Sequence, residues 1–191
     1  EVQKETIGFG MSRDAAIKSD IKWFPYNKGG EYRKWYGNQY YIVNYQYNGA
    51  SIKRDVLTKY PYLKTPDFVV KNQETYFCPC LSWSKISSGR AAFRYFPQGF
   101  LYDVSGCSIF FKDQKDLYYY AGFLNSSICS KFLEIISPTL NYETGHIGIL
   151  PILKSEKTKD VHALVEDNIQ MAKEDWDSFE NSWHFRKHPL I

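Results

Sequence analysis

Two hydrophobic periods divide the chain. From residue 22 to about residue 111, apolar and aromatic residues come in short runs at 23–24, 40–45, 68–70, 76–86, 92–96 and 108–111. Gly, Asn and Lys clusters such as Lys28-Gly29-Gly30, Tyr36-Gly37-Asn38 and Asn48-Gly49 separate them. Runs of that length, rich in β-branched and aromatic side chains and bounded by turn formers, predict strands. One interruption, residues 50–60, reads as a short helix. Residues 1–21 form an opening segment, with a helix near 12–19 that Ser12 can cap.

Beyond residue 115 the period lengthens. Leu117, Tyr120, Ala121, Leu124, Ile128, Phe132 and Ile135 recur at three- and four-residue steps. That spacing predicts one amphipathic helix over 116–136, ended by Pro138. A strand is expected at 146–153. A second helix over 158–171 carries Val161, Leu164, Val165, Asn168 and Ala172 on one face. Residues 174–185 read as a further helix or a bent continuation. There Trp176, Phe179 and Trp183 form a stripe that either folds back on the domain or docks on another part of a longer protein.

The expected fold is α+β. A curved, mostly antiparallel sheet carries a long packed helix, and a C-terminal helical spacer follows. The expected division is an opening segment (1–21), a main domain (22–153) and the spacer (154–191).

Composition adds a direction. Tyr, Phe and Trp supply 18% of the residues, 16 of them Tyr, and tyrosine's flat apolar face with a polar tip suits binding surfaces. The net charge is only +3, but it is uneven: residues 1–100 hold 15 Lys and Arg against 8 Asp and Glu, residues 101–191 hold 9 against 13. A basic, aromatic first half fits a polyanionic partner; the alternative is a chance imbalance on a solvated surface. Cys78, Cys80, Cys107 and Cys129 lack zinc-site spacing and read as free thiols in a reducing cytoplasm. No stretch is long and apolar enough for a membrane span, and the opening Glu-Val-Gln-Lys-Glu lacks the apolar run of a signal peptide, so none is expected. The first residue is Glu, and the last run stops as apolar residues return, so a piece of a longer protein is expected.

Three clusters carry candidate chemistry. In the first, Lys28, Arg33, Lys34 and Tyr36 surround Gly29-Gly30. Such glycines let backbone N–H groups approach a phosphate, and an arginine such as Arg33 can grip a phosphate or guanine O6 and N7. In the second, Lys85, Arg90 and Arg94 flank a turn carrying Ser87 and Ser88. The third, residues 137–146, offers Asn141 and Tyr142. Asn141 suits the adenine edge, or a capping or turn role. A plain basic hairpin remains the alternative for the first two.

Catalysis finds no footing. The amino-methyltransferase motif N/D-P-P-Y/F needs adjacent prolines, and the chain has none. Gly8-Phe9-Gly10 lacks the strand and helix of a nucleotide loop. Asp113-Gln114-Lys115 resembles half a nuclease site, without a nearby partner, and His184 with His188 lacks a third metal ligand.

The runs KWFPYNKGGEYRKWYGN, YYIVNY, SWSKISSGRAAFRYFPQGFLYDVSG, GFLNSSICSKFLEIISPTLNYETGHIGILPI and KEDWDSFENSW together resemble the C-terminal region of the PglX family. These are the adenine-specific DNA methyltransferases of BREX phage-exclusion systems, and related regions occur in fused type IIG restriction-modification enzymes. The resemblance covers residues 22–189 in one order. It implies a target-recognition domain that binds double-stranded DNA and has no catalytic centre or cofactor of its own. S-adenosylmethionine would belong to an upstream methyltransferase domain of the same parent. Ile149-Leu150-Pro151-Ile152 before the 158–171 helix looks like the junction that leads to a spacer helix in type I specificity modules. The alternative is a protein-docking domain that binds other defence-system subunits.

Overall fold

The computed structural model describes residues 2–87, 89–153, 155–188 and 190–191. The fold is α+β, with two small three-stranded sheets that do not close, in place of the single sheet expected. The chain divides into two compact units.

The first unit comprises Glu1–Tyr26, Tyr41–Cys78 and Pro97–Leu101. Ser12 caps α1 (Arg13–Lys18) by accepting a hydrogen bond from the Ala15 amide at 3.3 Å. β1 (Trp23–Asn27) runs antiparallel to β2 (Tyr41–Asn44), with Phe24 opposite Val43. β5 (Leu101–Tyr102) lies on the other side of β1. After β2 the chain makes a left-handed turn at Tyr47, Asn48 and Gly49 before the right-handed part of α2 (Gln46–Lys59). An added Cβ at Gly49 would meet the Tyr45 ring at 2.7 Å, so the turn needs glycine there. The core is aromatic: Phe77 meets Phe24 and Tyr45 edge-on, with ring centroids 5.4 and 5.8 Å apart. The strand expected at 68–70 does not form: Phe68 ends a 3-10 turn, Pro66–Phe68, in which Pro66 fixes the first turn and supplies no ladder donor.

The second unit comprises Asn27–Tyr40, Pro79–Phe96 and Tyr102–Ile191. Its central strand, β3 (Cys80–Ser84), pairs antiparallel with β4 (Arg94–Phe96) and β6 (Gly106–Phe110). Leu81 and Trp83 join Phe93, Leu117, Ala121, Leu124, Leu133 and Val165 in one core. Burying a large apolar side chain contributes about 1.5–3 kcal/mol.

The long helix expected at 116–136 is two: α3 (Gln114–Leu124) and α4 (Ser127–Ile136). Ser126 turns extended and caps α4, accepting from the Cys129 amide at 3.1 Å. Asn125 meanwhile holds both backbone groups of Phe93, accepting from its N–H (3.1 Å) and donating to its carbonyl (2.9 Å). Apolar spacing alone hides that break. The strand expected at 146–153 is absent. Glu143 and His146 form a capping box that starts a short helix, α5 (Thr144–Gly148). Helix α6 (Thr158–Asp177) packs on α3 through Val165 and Ile169, so the expected spacer helix belongs to this unit's core. Trp176 is buried there, while Phe179 is exposed.

Candidate nucleic-acid interface

The three clusters named from the sequence all lie in the second unit. Their geometry divides them into two constructions.

The first is the loop 28–38. Gly29, Gly30, Trp35, Gly37 and Asn38 all have positive φ. Gly37 leaves no room for a Cβ between Arg33 and Trp176. Trp35 bridges to the strand at Arg94, its N–H donating to the Phe93 carbonyl (2.9 Å) and its carbonyl accepting from the Tyr95 N–H (2.7 Å), while the carbonyls of Gly30, Glu31 and Arg33 need other donors. Side chains provide them. Ser84 Oγ donates to the Gly30 carbonyl (2.7 Å) and Asn38 Nδ2 to that of Glu31 (2.8 Å). Arg94 Nη1 donates to the carbonyls of Glu31 (3.5 Å) and Arg33 (3.3 Å), and its Nη2 to Ser84 Oγ (3.1 Å).

Arg94 is only 1% exposed. Burial, with a smaller contribution from neighbouring Arg33, lowers its guanidinium to about 10, so it stays charged near neutral pH. Arg33 pairs with Asp175 of α6 (2.8 Å) and lies over the Trp176 ring, 5.1 Å from its centroid. Lys34 donates to the Asn125 carbonyl (2.7 Å). Tyr36 is buried, which raises its hydroxyl to about 12, Asp177 adding to the effect. Lys28 is exposed.

The second construction joins two distant stretches into one rim. Ile86 forms an antiparallel bridge with Asn141. The Tyr142 amide donates to the Lys85 carbonyl (2.7 Å), and the Ser87 amide to that of Leu140 (3.0 Å). Trp83 fastens this rim to the core, its Nε1 donating to the Tyr142 carbonyl (2.8 Å). Tyr142 is buried and donates its hydroxyl to the Gly89 carbonyl (3.0 Å). Arg90 and Asn141 are exposed, while Lys85 and Ser87 are half-buried. Lys85 meets Glu143 at 3.1 Å, and Arg90 meets Glu134 at 3.7 Å. Lys131 also binds Glu134 (2.8 Å), and its hydrogen bond holds that carboxyl below the usual range.

The structure therefore brings Lys85, Ser87, Arg90, Asn141 and Tyr142 together. Arg33, Lys34, Tyr36 and Arg94 form a separate set, in which Tyr36 and Arg94 are buried and Arg33 and Lys34 are half-buried. Tyr36, Arg94 and Tyr142, chosen from the sequence for a surface role, are buried side chains in this conformation. Ser88 lies outside the described residues. Sequence reading missed Asp175, Glu143 and Glu134, whose carboxylates meet the candidate cations. It also missed Asn125, which joins the helix break to the loop. No local pattern marks these residues, since their partners lie far away in sequence. Among the described residues, no group of three or more His, Cys, Asp or Glu could hold a metal ion. No helix among them is long and apolar enough to cross a membrane.

Comparison with known proteins finds relatives of the sequence. The adenine-specific methyltransferase PglX of Lacticaseibacillus casei (strain Zhang) is 40% identical over 191 residues, 100% of this chain. The chain is homologous along its whole length to a segment of PglX. The adenine-specific methyltransferase BrxX of Escherichia coli O9:H4 (strain HS) is 35% identical over 182 residues, 94% of the chain. The chain spans 16% of the length of PglX and 14% of that of BrxX. No family model matches the chain.

Proposed function

We propose that the chain is the target-recognition segment of an adenine-specific DNA methyltransferase of the BREX phage-exclusion type. It grips duplex DNA and reads a short sequence. The catalytic part of the parent, upstream, holds S-adenosylmethionine and transfers its methyl group to N6 of a flipped adenine. No step of that transfer is assigned to residues of this segment.

One observation carries the reading. In a chain homologous to adenine-specific methyltransferases, two loops some fifty residues apart are cross-linked into one polar rim bearing Lys85, Ser87, Arg90 and Asn141. Lys85 and Arg90 suit phosphates, exchanging the carboxylates of Glu143 and Glu134 for the DNA backbone. The exposed Asn141 amide suits the adenine N6/N7 edge. Phosphate contacts set register; the amide contributes sequence preference.

The test is duplex binding by the 191-residue chain across a salt titration, read by fluorescence anisotropy. The expected affinity is in the range of ~10⁻⁴–10⁻⁶ M, falling steeply with salt. Replacing Lys85 and Arg90 together by Ala should reduce the salt slope by about two phosphate contacts. Absence of duplex binding, or binding indifferent to salt, would overturn the reading. In the full-length parent, exchanging this segment for a relative's should change the methylated motif.

A second reading has its own support. Ile86, Ile135 and Leu140 are exposed on or beside the same rim, whose cations already face carboxylates. This arrangement suits docking to another defence-system subunit. Salt-insensitive binding to such a subunit, without duplex binding, would favour it.

A further inference from the structure

Arg94 is unusual among the buried groups. Its guanidinium is charged and 1% exposed, and no carboxylate pairs with it among the described residues. Its Nε hydrogen has no acceptor there either. Burying an unpaired charge is costly, and the fold retains it at the base of the loop 28–38. The same Nη1 reaches the carbonyls of Glu31 and Arg33, the two residues that flank Tyr32. Asn38 binds the Glu31 carbonyl as well, and Asp175 and Trp176 hold the Arg33 side chain. The peptide that precedes Tyr32 and the one that follows Arg33 are thus fixed from beneath.

Tyr32 itself is 53% exposed. No hydrogen bond, ion pair or ring contact engages its side chain among the described residues. The molecule rigidly mounts an aromatic side chain and leaves it unused. A preorganised tip loses little conformational freedom on binding, and tyrosine offers large contact area with only two rotatable side-chain bonds.

We propose that Tyr32 is a further DNA-contacting residue, its ring packing against sugars and base edges in a groove of the duplex, and that Arg94 is the residue that positions it. The proposal rests on the DNA-reading function above and adds a contact that involves no phosphate. It assigns Arg94 a role through Tyr32 rather than through contact with DNA.

The experiment measures duplex binding by the 191-residue chain at several salt concentrations. Tyr32→Ala should weaken binding about tenfold at every salt, with an unchanged salt slope. Tyr32→Phe should stay within about twofold of wild type, since the ring makes the contact. Arg94→Met should reproduce the loss with the slope again unchanged, and amide hydrogen exchange in residues 30–38 should rise while α6 keeps its protection. Arg94→Lys should recover part of the binding. The double variant Tyr32→Ala/Arg94→Met should bind no more weakly than the weaker single variant.

A Tyr32→Ala chain that binds like wild type overturns the proposal and leaves the DNA-reading function standing. A salt slope lowered by one in Arg94→Met makes Arg94 a phosphate contact and overturns the positioning role. If wild type itself ignores duplex DNA, both readings fall together. Tyr32 is a surface position, so its variants keep the test decisive even if Arg94→Met does not fold.

Discussion

The loop 28–38 and the rim built by residues 85–90 and 137–143 both carry Lys, Arg, Tyr, Gly and Asn. They use their cations differently. In the loop, Arg94 serves two carbonyls from beneath, Lys34 reaches the Asn125 carbonyl, and Arg33 is held by Asp175 and Trp176. In the rim, backbone groups pair with one another across the Ile86–Asn141 bridge. Neutral hydroxyls from Ser87, Ser137 and Tyr142 serve further carbonyls. Lys85 and Arg90 serve no carbonyl among the described residues and meet the carboxylates of Glu143 and Glu134. The difference lies in who satisfies the backbone. In the loop, backbone N–H groups serve the Lys34 and Trp35 carbonyls, but those of Gly30, Glu31 and Arg33 rely on the side chains of Ser84, Asn38 and Arg94.

The largest test of this contrast is the anchor of the rim. Trp83→Ala removes a fully buried ring together with the Nε1 donor to the Tyr142 carbonyl. A loss of about 3–5 kcal/mol is expected, measured by urea denaturation. A loss below about 1 kcal/mol would mean that the rim does not depend on the core beneath it.

The next concerns the loop side at high pH. Burial raises the Tyr36 hydroxyl from 10 to about 12. In the unfolded chain the phenol ionises near pH 10; in the fold it keeps its proton to about 12. Between those values the unfolded state binds fewer protons, so stability is fully present below pH 10 and falls as pH rises. The loss attributable to this phenol is on the order of 1–3 kcal/mol across that window. Tyr36→Phe should flatten the decline between pH 10 and 12, read from denaturation midpoints. An unchanged decline would place the alkaline sensitivity elsewhere, Tyr45 of the first unit being similarly raised.

The smallest effect separates the two constructions by charge. Glu143→Gln frees Lys85 at the rim and should tighten duplex binding about twofold at low salt, since exposed pairs contribute about 0.2–1 kcal/mol. Asp175→Asn should leave affinity unchanged, because Arg33 still lies over Trp176. Equal gains from both substitutions would erase the distinction between a loop whose cations are held by the fold and a rim whose cations are held by carboxylates.

Much of the element order was legible in the sequence. Short aromatic runs became β1 to β4 and β6, and three- and four-residue spacing became α3, α4 and α6. Ser12 caps α1, as its position before that helix indicated. The failures are specific. The apolar stripe continued across Asn125-Ser126 although the helix does not, because those two side chains have better partners than the helical backbone. The apolar run after His146 read as a strand, yet the capping box with Glu143 turned its start helical. Candidate surface residues were chosen by charge and loop placement, and neither reports burial: Tyr36, Arg94 and Tyr142 went inside.

By itself, then, the sequence determined the α+β class, the change of period near residue 115 and the family to which the segment is related. Those properties depend on neighbours within a turn or two of helix or strand, or on residue identity along the chain. Only the tertiary structure decided which way each cation faces, where the long helix breaks, and that residues 85–90 and 137–143 form one surface. Those outcomes depend on acceptors and carboxylates contributed from remote positions, and the folded chain alone brings such groups within hydrogen-bonding distance.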